Sequence, residues 1–310
     1  MYFPYFRGRQ YELLALKELA SGQLLSRFVV PVVEPIKLTS TFDGTLRAFA
    51  DGQRKIALIF NPAVGSFSGT ENFVEAFYER VGSVNNILSA LLMNKNIDKI
   101  LQSLVAKGIT QSDITAILDK RDFLDVYKII FADTAPKYTL FPDERQIKRT
   151  VTQGKVMFED KFNKQDKNAT YEATPDEFFS EDHLYFLSEG YVGFGDYSVV
   201  GRFYDESGFA PKAVAIHIVY FENDNILRIR HFVSDSNMDI KDVAGKYYEA
   251  LSKLADWYYD GHQTQKTNAL STFINHYETG YYPGLPTIKK LSIMHHMELM
   301  SKYLDWSMAK

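Results

Sequence analysis

Two carboxylates set inside apolar runs are the residues of this chain best suited to chemistry. Asp160 follows Val156, Met157 and Phe158, and Asp196 lies among Val192, Phe194, Val199 and Val200. A carboxylate embedded in an otherwise apolar strand is costly to bury unless it is paired or put to use. Lys161 and Lys164 stand beside Asp160, so one reading is a base or nucleophile with lysines holding an anionic substrate. The other is a strand-end salt bridge on a solvated loop. Tyr197 follows Asp196, and Gly193, Gly195 and Gly201 surround the pair. Glycines there either admit a ligand close to the backbone or mark a bulge. His217 and His231, each inside an apolar run, are candidates for a general acid or base opposite a carboxylate. A histidine in such a run is more commonly a satisfied core group.

These residues share a pattern with others. The run at 28–37 ends in Glu34 and Lys37, that at 55–62 in Asn61, that at 114–120 in Asp119 and Lys120, and that at 138–142 at Asp143. If such runs are parallel strands of a barrel, their polar ends converge on one mouth, where barrel enzymes keep their chemistry. Asp160, Asp196, Glu34 and His217 are then the catalytic candidates, and Lys37, Asn61, Lys120, Lys164, Tyr197 and His231 the substrate-binding ones. Asp119, Asp160 and Asp196 form a candidate metal set whose oxygen-only donors favour magnesium or manganese over zinc. Arg7 and Arg9, beside aromatics, either grip phosphate or belong to a solvated start. His295, His296 and Glu298 invite a metal reading, but adjacent histidines point to different sides of a helix and no HExxH spacing is present.

The elements that must position these groups follow from hydrophobic pattern. Residues 11–20 make an amphipathic helix stopped by Gly22. The stretch 63–108 holds helical patterns and no convincing strand, with Gly65, Ser66, Ser68 and Gly69 as a flexible loop. The runs at 213–220 and 226–233 are joined only by Phe221, Glu222, Asn223, Asp224 and Asn225, which suits an antiparallel hairpin and is too short for a crossover helix. From Asp239 onward the spacing is helical. About eight strands, the first six separated by helices or loops, predict an α/β fold. Its form is a distorted TIM-like β/α barrel with a C-terminal helical segment; the alternative is an α+β mixed sheet. The reading is one domain over 1–310, with the barrel core at about 27–235 and the helices at about 239–310.

Composition narrows the function classes. The 310 residues carry 35 Lys+Arg against 39 Asp+Glu, a net charge of -4, so no overall basic field draws the chain to duplex nucleic acid or anionic membrane. Zero cysteines exclude disulfides, thiolate metal sites and a cysteine nucleophile. No apolar run approaches the roughly 18 residues of a membrane span and no leader is evident, so a soluble cytoplasmic protein is expected. Walker, GxSxG and dinucleotide fingerprints are absent, which removes support for the common ATPase, serine hydrolase and NAD classes.

Several blocks carry a family resemblance. The opening YFPYFRGRQYELLALKEL with VVPVVEPIK resembles the start of the beta-protein family of phages and bacteria. FEDKFNKQDKNATY, GFGDYSVVG, AVAIHIVYFE, RIRHFVSD and YYPGLPTIKKLSIMHHMEL are similar to a bacterial branch of that family. The resemblance implies phage-conflict or mobile-element biology and a companion protein from an adjacent gene, and it supplies no catalytic residues. Two functions are therefore expected to compete. One is a hydrolase or lyase acting on a phosphorylated, nucleotide-like or nucleic-acid-derived substrate. The other is a non-catalytic sensor or regulatory module acting with the companion protein.

Overall fold

A computed structural model describes residues 1–68, 73–82, 84–205 and 211–309; Gly69, read above as part of a loop, lies outside them. The chain alternates strand and helix in its first half. It runs β1 (Tyr5–Phe6), α1 (Gln10–Ser21), β2 (Val32–Val33), α2 (Ser40–Asp51), β3 (Ile56–Ile59), α3 (Phe73–Val81), β4 (Ile87–Leu92) and α4 (Ile97–Val105). It continues with β5 (Thr115–Ile117), α5 (Leu124–Ile130), β6 (Tyr138–Phe141), α6 (Arg145–Thr150), β7 (Lys155–Phe158), β8 (Asp176–Ser180), α7 (Asp182–Tyr185) and β9 (Gly193–Gly195). The hairpin β10 (Ala215–Phe221) and β11 (Leu227–Val233) and the helices α8 (Val243–Tyr259), α9 (Asn268–Thr279) and α10 (Leu285–Ser307) complete it.

Eight of these strands form one parallel sheet in the order β1-β2-β3-β4-β5-β6-β7-β9. The N-terminal segment closes it. Phe194 N–H donates to the Met1 carbonyl at 2.9 Å, Phe3 N–H to the Phe194 carbonyl at 2.8 Å and Tyr5 N–H to the Asp196 carbonyl at 2.8 Å. The result is a TIM-like barrel, and alternation along each strand sorts its side chains. Phe3, Tyr5, Val30, Val32, Ile59 and Phe158 fill the interior, while Tyr2, Phe6, Val29, Val33, Leu58 and Phe194 face the helices. The interior is a packed core of buried side chains.

Two strands differ from expectation. The opening segment is the first barrel strand, with Tyr2, Phe3, Tyr5 and Phe6 all buried, and no solvated start. Residues 87–92, read as helical, form β4; Leu and Ala favour helix intrinsically, but here the backbone finds ladder partners in two parallel neighbours, β3 over 87–90 and β5 over 90–92. These two strands take the places assigned above to the 213–220 and 226–233 runs. The barrel wall therefore spans Tyr2 to Gly195, and the boundaries of about 27–235 are corrected accordingly.

The hairpin is antiparallel, as its short connection requires, with Asp224 and Asn225 in the left-handed region at φ 64° and 61°. It pairs with β8 in a separate sheet of order β10-β11-β8. The C-terminal helices cover this sheet and tie it to the barrel, since α10 packs on both β10 and α1. Local chemistry starts and stops them: Thr267 Oγ1 caps α9 through Leu270 N–H at 3.0 Å, Gly280 ends it at φ 65°, and Pro286 stands in the first turn of α10.

Candidate functional site

The C-terminal ends of the parallel strands open into a cavity of about 840 Å³. Tyr5, Tyr197, Phe162 and Phe203 supply its aromatic walls, and Arg7, Lys120, Lys161, Lys164 and Arg202 its cations, against the carboxylates Asp119 and Asp160.

Glu34, at the end of β2, is fully buried behind this wall and accepts three hydrogen bonds. Tyr5 OH donates at 2.7 Å, Ala63 N–H at 2.6 Å, and Arg7 Nη1 forms an ion pair with the same carboxylate. Arg7 also donates through Nη2 to the Arg202 carbonyl at 3.0 Å, which joins the first strand end to the last. Burial next to the Glu34 charge raises the Tyr5 hydroxyl well above its usual range. Glu34 thus holds Arg7 and Tyr5 in place and does not itself line the cavity.

Asp160 and Asp119 do line it, and Arg202 connects them. Asp160 Oδ2 accepts Arg202 N–H at 2.7 Å and Oδ1 accepts Phe162 N–H at 3.1 Å. Arg202 Nη2 donates to Asp119 Oδ2 at 2.7 Å. Lys161, despite burial, is raised by Asp182 and Glu159, with which it pairs at 2.9 and 3.1 Å. Lys164 is lowered by burial and by Arg9, and its Nζ donates to the Phe203 carbonyl at 3.3 Å. Lys120 is exposed on the rim.

The other candidates lie elsewhere. Asp196 faces outward from the barrel wall because the pleat sends Tyr197 inward. Its Oδ1 accepts Tyr2 OH at 2.8 Å and Ser198 N–H at 2.7 Å, away from the mouth. The metal set of Asp119, Asp160 and Asp196 is therefore not assembled, and among the described residues no three metal-capable side chains gather anywhere. Nor do Asp119 and Asp160 alone fit a resident magnesium or manganese, since Arg202 already supplies the positive charge between them. Asn61 is a structural bridge: its amide donates to the Leu92 carbonyl at 2.7 Å and accepts Leu92 N–H at 2.8 Å, stitching β3 to β4. Lys37 is exposed and lies outside the cavity lining. His217 and His231 sit across the hairpin from each other, outside the barrel. His295 and His296 point to different sides of α10, to the Val219 carbonyl at 2.7 Å and to Ser198 Oγ at 3.0 Å.

Burial pushes Asp196 from 3.8 up to about 7, with the Ser198 and Tyr2 hydrogen bonds opposing it. A folded-state pKa above the unfolded one means that the native protein binds the proton more tightly. The associated stability is full below about pH 4 and is lost as pH rises through about 7. Asp196→Asn keeps an oxygen for both donors and removes the charge. It is expected to match the wild type at pH 4 and to exceed it by on the order of 2–4 kcal/mol at pH 8, read from urea midpoints. Parallel wild-type and variant curves across that range would contradict the raised pKa of Asp196.

Sequence reasoning missed Arg202. Its signal is its place, one residue after Gly201, whose φ of 77° turns the chain across the mouth. Phe203 was missed as well, whereas Arg7, read above as a phosphate grip or part of a solvated start, is brought to the cavity wall by the closure of the barrel. No protein-family model matches the chain, and no curated protein matches it either. Among the described residues no helix is long and apolar enough to cross a membrane.

Proposed function

We propose that the barrel mouth binds a small phosphorylated ligand carrying a planar ring, nucleotide-like in its chemistry. The observation that supports this most is the composition of the cavity wall, in which five cations and several aromatic rings outweigh two carboxylates. Guanidinium and ammonium groups suit a phosphate, and the Tyr197 and Phe203 faces suit a ring. Lys120 stands exposed on the rim with no ion pair among the described residues, which leaves its charge for a ligand. The volume falls within the roughly 300–1,000 Å³ of small-molecule sites. The fold adds that barrel ligands bind at this end.

Recognition is favoured over turnover because the acidic groups are already engaged: Glu34 by three donors, Asp160 by two backbone N–H groups and Asp119 by Arg202. A regulatory binding module is thus the first reading, with the companion protein from an adjacent gene, which the beta-protein resemblance implies, as the partner to test. A hydrolase or lyase is the second. It draws on the position of Asp119 and Asp160 at strand ends on the cavity wall, where a ligand that displaces Arg202 would free an acceptor.

Calorimetric titration with nucleoside monophosphates and diphosphates tests the first reading. Binding is expected, and Arg202→Met should weaken it about 10–100-fold, the value of a charge-assisted hydrogen bond. Failure of every phosphorylated ring compound to bind would defeat it. Phosphorus NMR of the same mixtures tests the second: product that forms in the wild type and not in Asp160→Asn supports hydrolysis, and unchanged ligand leaves recognition alone.

A further inference from the structure

A second cavity, of about 220 Å³, lies beside the mouth and shares only Phe162 and Lys164 with it. It is closed by β10, by the chain around Tyr171 and by the first turns of α10, and two of its lining side chains carry a polar atom with no hydrogen bond among the described residues. One is Lys289, whose ammonium has no hydrogen bond or ion pair among the described residues. The other is Nε2 of His217.

The state of that nitrogen follows from a relay. Glu177 Oε1 lies 3.1 Å from His231 Nε2, and a carboxylate can only accept there, so Nε2 of His231 carries a hydrogen. A neutral His231 then offers its Nδ1 lone pair, 2.7 Å from Nδ1 of His217, which must be the donor. Neutral His217 with hydrogen on Nδ1 keeps a lone pair on Nε2. Burial lowers both histidines and so favours the neutral forms. Phe162 and Tyr171 hold the His217 ring edge-on at 5.2 and 4.7 Å between centroids, which fixes the direction of that lone pair.

Two cationic side chains, Lys164 and Lys289, share the lining with His217. Burial lowers Lys289, with Glu12 opposing and Arg9 and Lys164 adding to the effect, and Arg9 likewise lowers Lys164. Lys164 and Lys289, the two cations in the cavity lining, repel each other, with Asp205 and Asp160 opposing at Lys164 and Glu12 at Lys289, and an anion between them would relieve that repulsion. We propose that this cavity is a second ligand site, in which Lys164 and Lys289 hold a phosphate-sized oxyanion and a hydroxyl on that ligand donates to the lone pair of His217 Nε2. The volume is below that of sites for drug-sized molecules, so it takes a phosphate group and no whole nucleotide. The inference goes beyond the mouth reading and stands if that reading fails.

The test is histidine-selective nitrogen-15 NMR of the full chain, with inorganic phosphate as the probe and His217 assigned by the loss of its signals in His217→Gln. The wild type should show His217 unprotonated at Nε2, and millimolar phosphate should shift that resonance saturably. Lys289→Met and, separately, Lys164→Met should each weaken the response roughly 10–100-fold, so one folded variant suffices. Adenosine monophosphate at equal concentration distinguishes the sources of the phosphate. If it moves His217 and competes with phosphate, the group belongs to the mouth ligand; if it does not, the site takes a separate small anion. A His217 that is protonated at Nε2, or one that phosphate leaves unmoved, overturns the proposal. Nucleotide binding lost in Arg202→Met with His217 still responsive would leave this site intact.

Discussion

Glu34→Ala is expected to lower stability by about 3–5 kcal/mol, because deleting one partner of a buried ion pair leaves the other charge unsolvated and unpaired. Glu34 is 0% exposed and serves Arg7, Tyr5 and the Ala63 amide together. The urea midpoint should fall with little change in slope. Glu34→Gln, which keeps one acceptor and the side-chain volume, should cost less. Replacing both partners, Arg7→Met with Glu34→Leu, should recover much of the loss, since apolar groups of similar size substitute well for buried pairs. Binding in the mouth should not recover with it, because Arg7 is part of the cationic wall. A Glu34→Ala protein within about 1 kcal/mol of the wild type would show that the pair does not hold the first strand end, given that exposed pairs are worth that little.

Gly195→Ala should cost about 2–3 kcal/mol or more by overpacking the closing seam of the barrel. A Cβ there would overlap the Phe3 carbonyl oxygen and lie 3.2 Å from the Phe158 ring. Gly193 is similar, with a Cβ position 2.6 Å from the Met1 carbonyl oxygen. Backbone cannot swing aside as a side-chain tip can, so the N-terminal strand must lift. Hydrogen exchange should register this locally, with the amides of Phe3 and Tyr5, which donate across the seam, losing protection before those of β4 and β5. An unaltered melting curve would mean that the first strand accommodates the methyl group.

These two variants also show where sequence reading succeeds and stops. Gly193 and Gly195 of GFGDYSVVG do permit a close backbone approach, and it is the chain's own first strand that approaches. Asp196 was singled out for the right reason, a carboxylate among apolar residues, and its burial and raised pKa match the cost that the pattern implies. Its direction was not legible. Tyr197 and Asp196 are neighbours, so the pleat sends them to opposite faces, and only knowledge of which face is the interior decides between mouth and wall. Asn61, at a strand end like Asp160, turned sideways to replace a missing ladder contact. Periodicity carries no information about that choice.

What the sequence determined by itself is the rhythm: alternating apolar runs and helices, polar residues at the strand ends, and a connection of Asn-Asp-Asn too short for anything but a hairpin. From these follow the α/β class, the TIM-like barrel and the collection of Glu34, Asp119 and Asp160 toward one end. The tertiary structure alone decided that Tyr2–Phe6 closes the ring, that the hairpin stands outside it, and that Arg202 reaches the carboxylates across 83 positions from Asp119. The physical reason is that periodicity is a local property, set within a few residues. Closure, side-chain direction and charge pairing are settled by whichever distant segments come to share a wall.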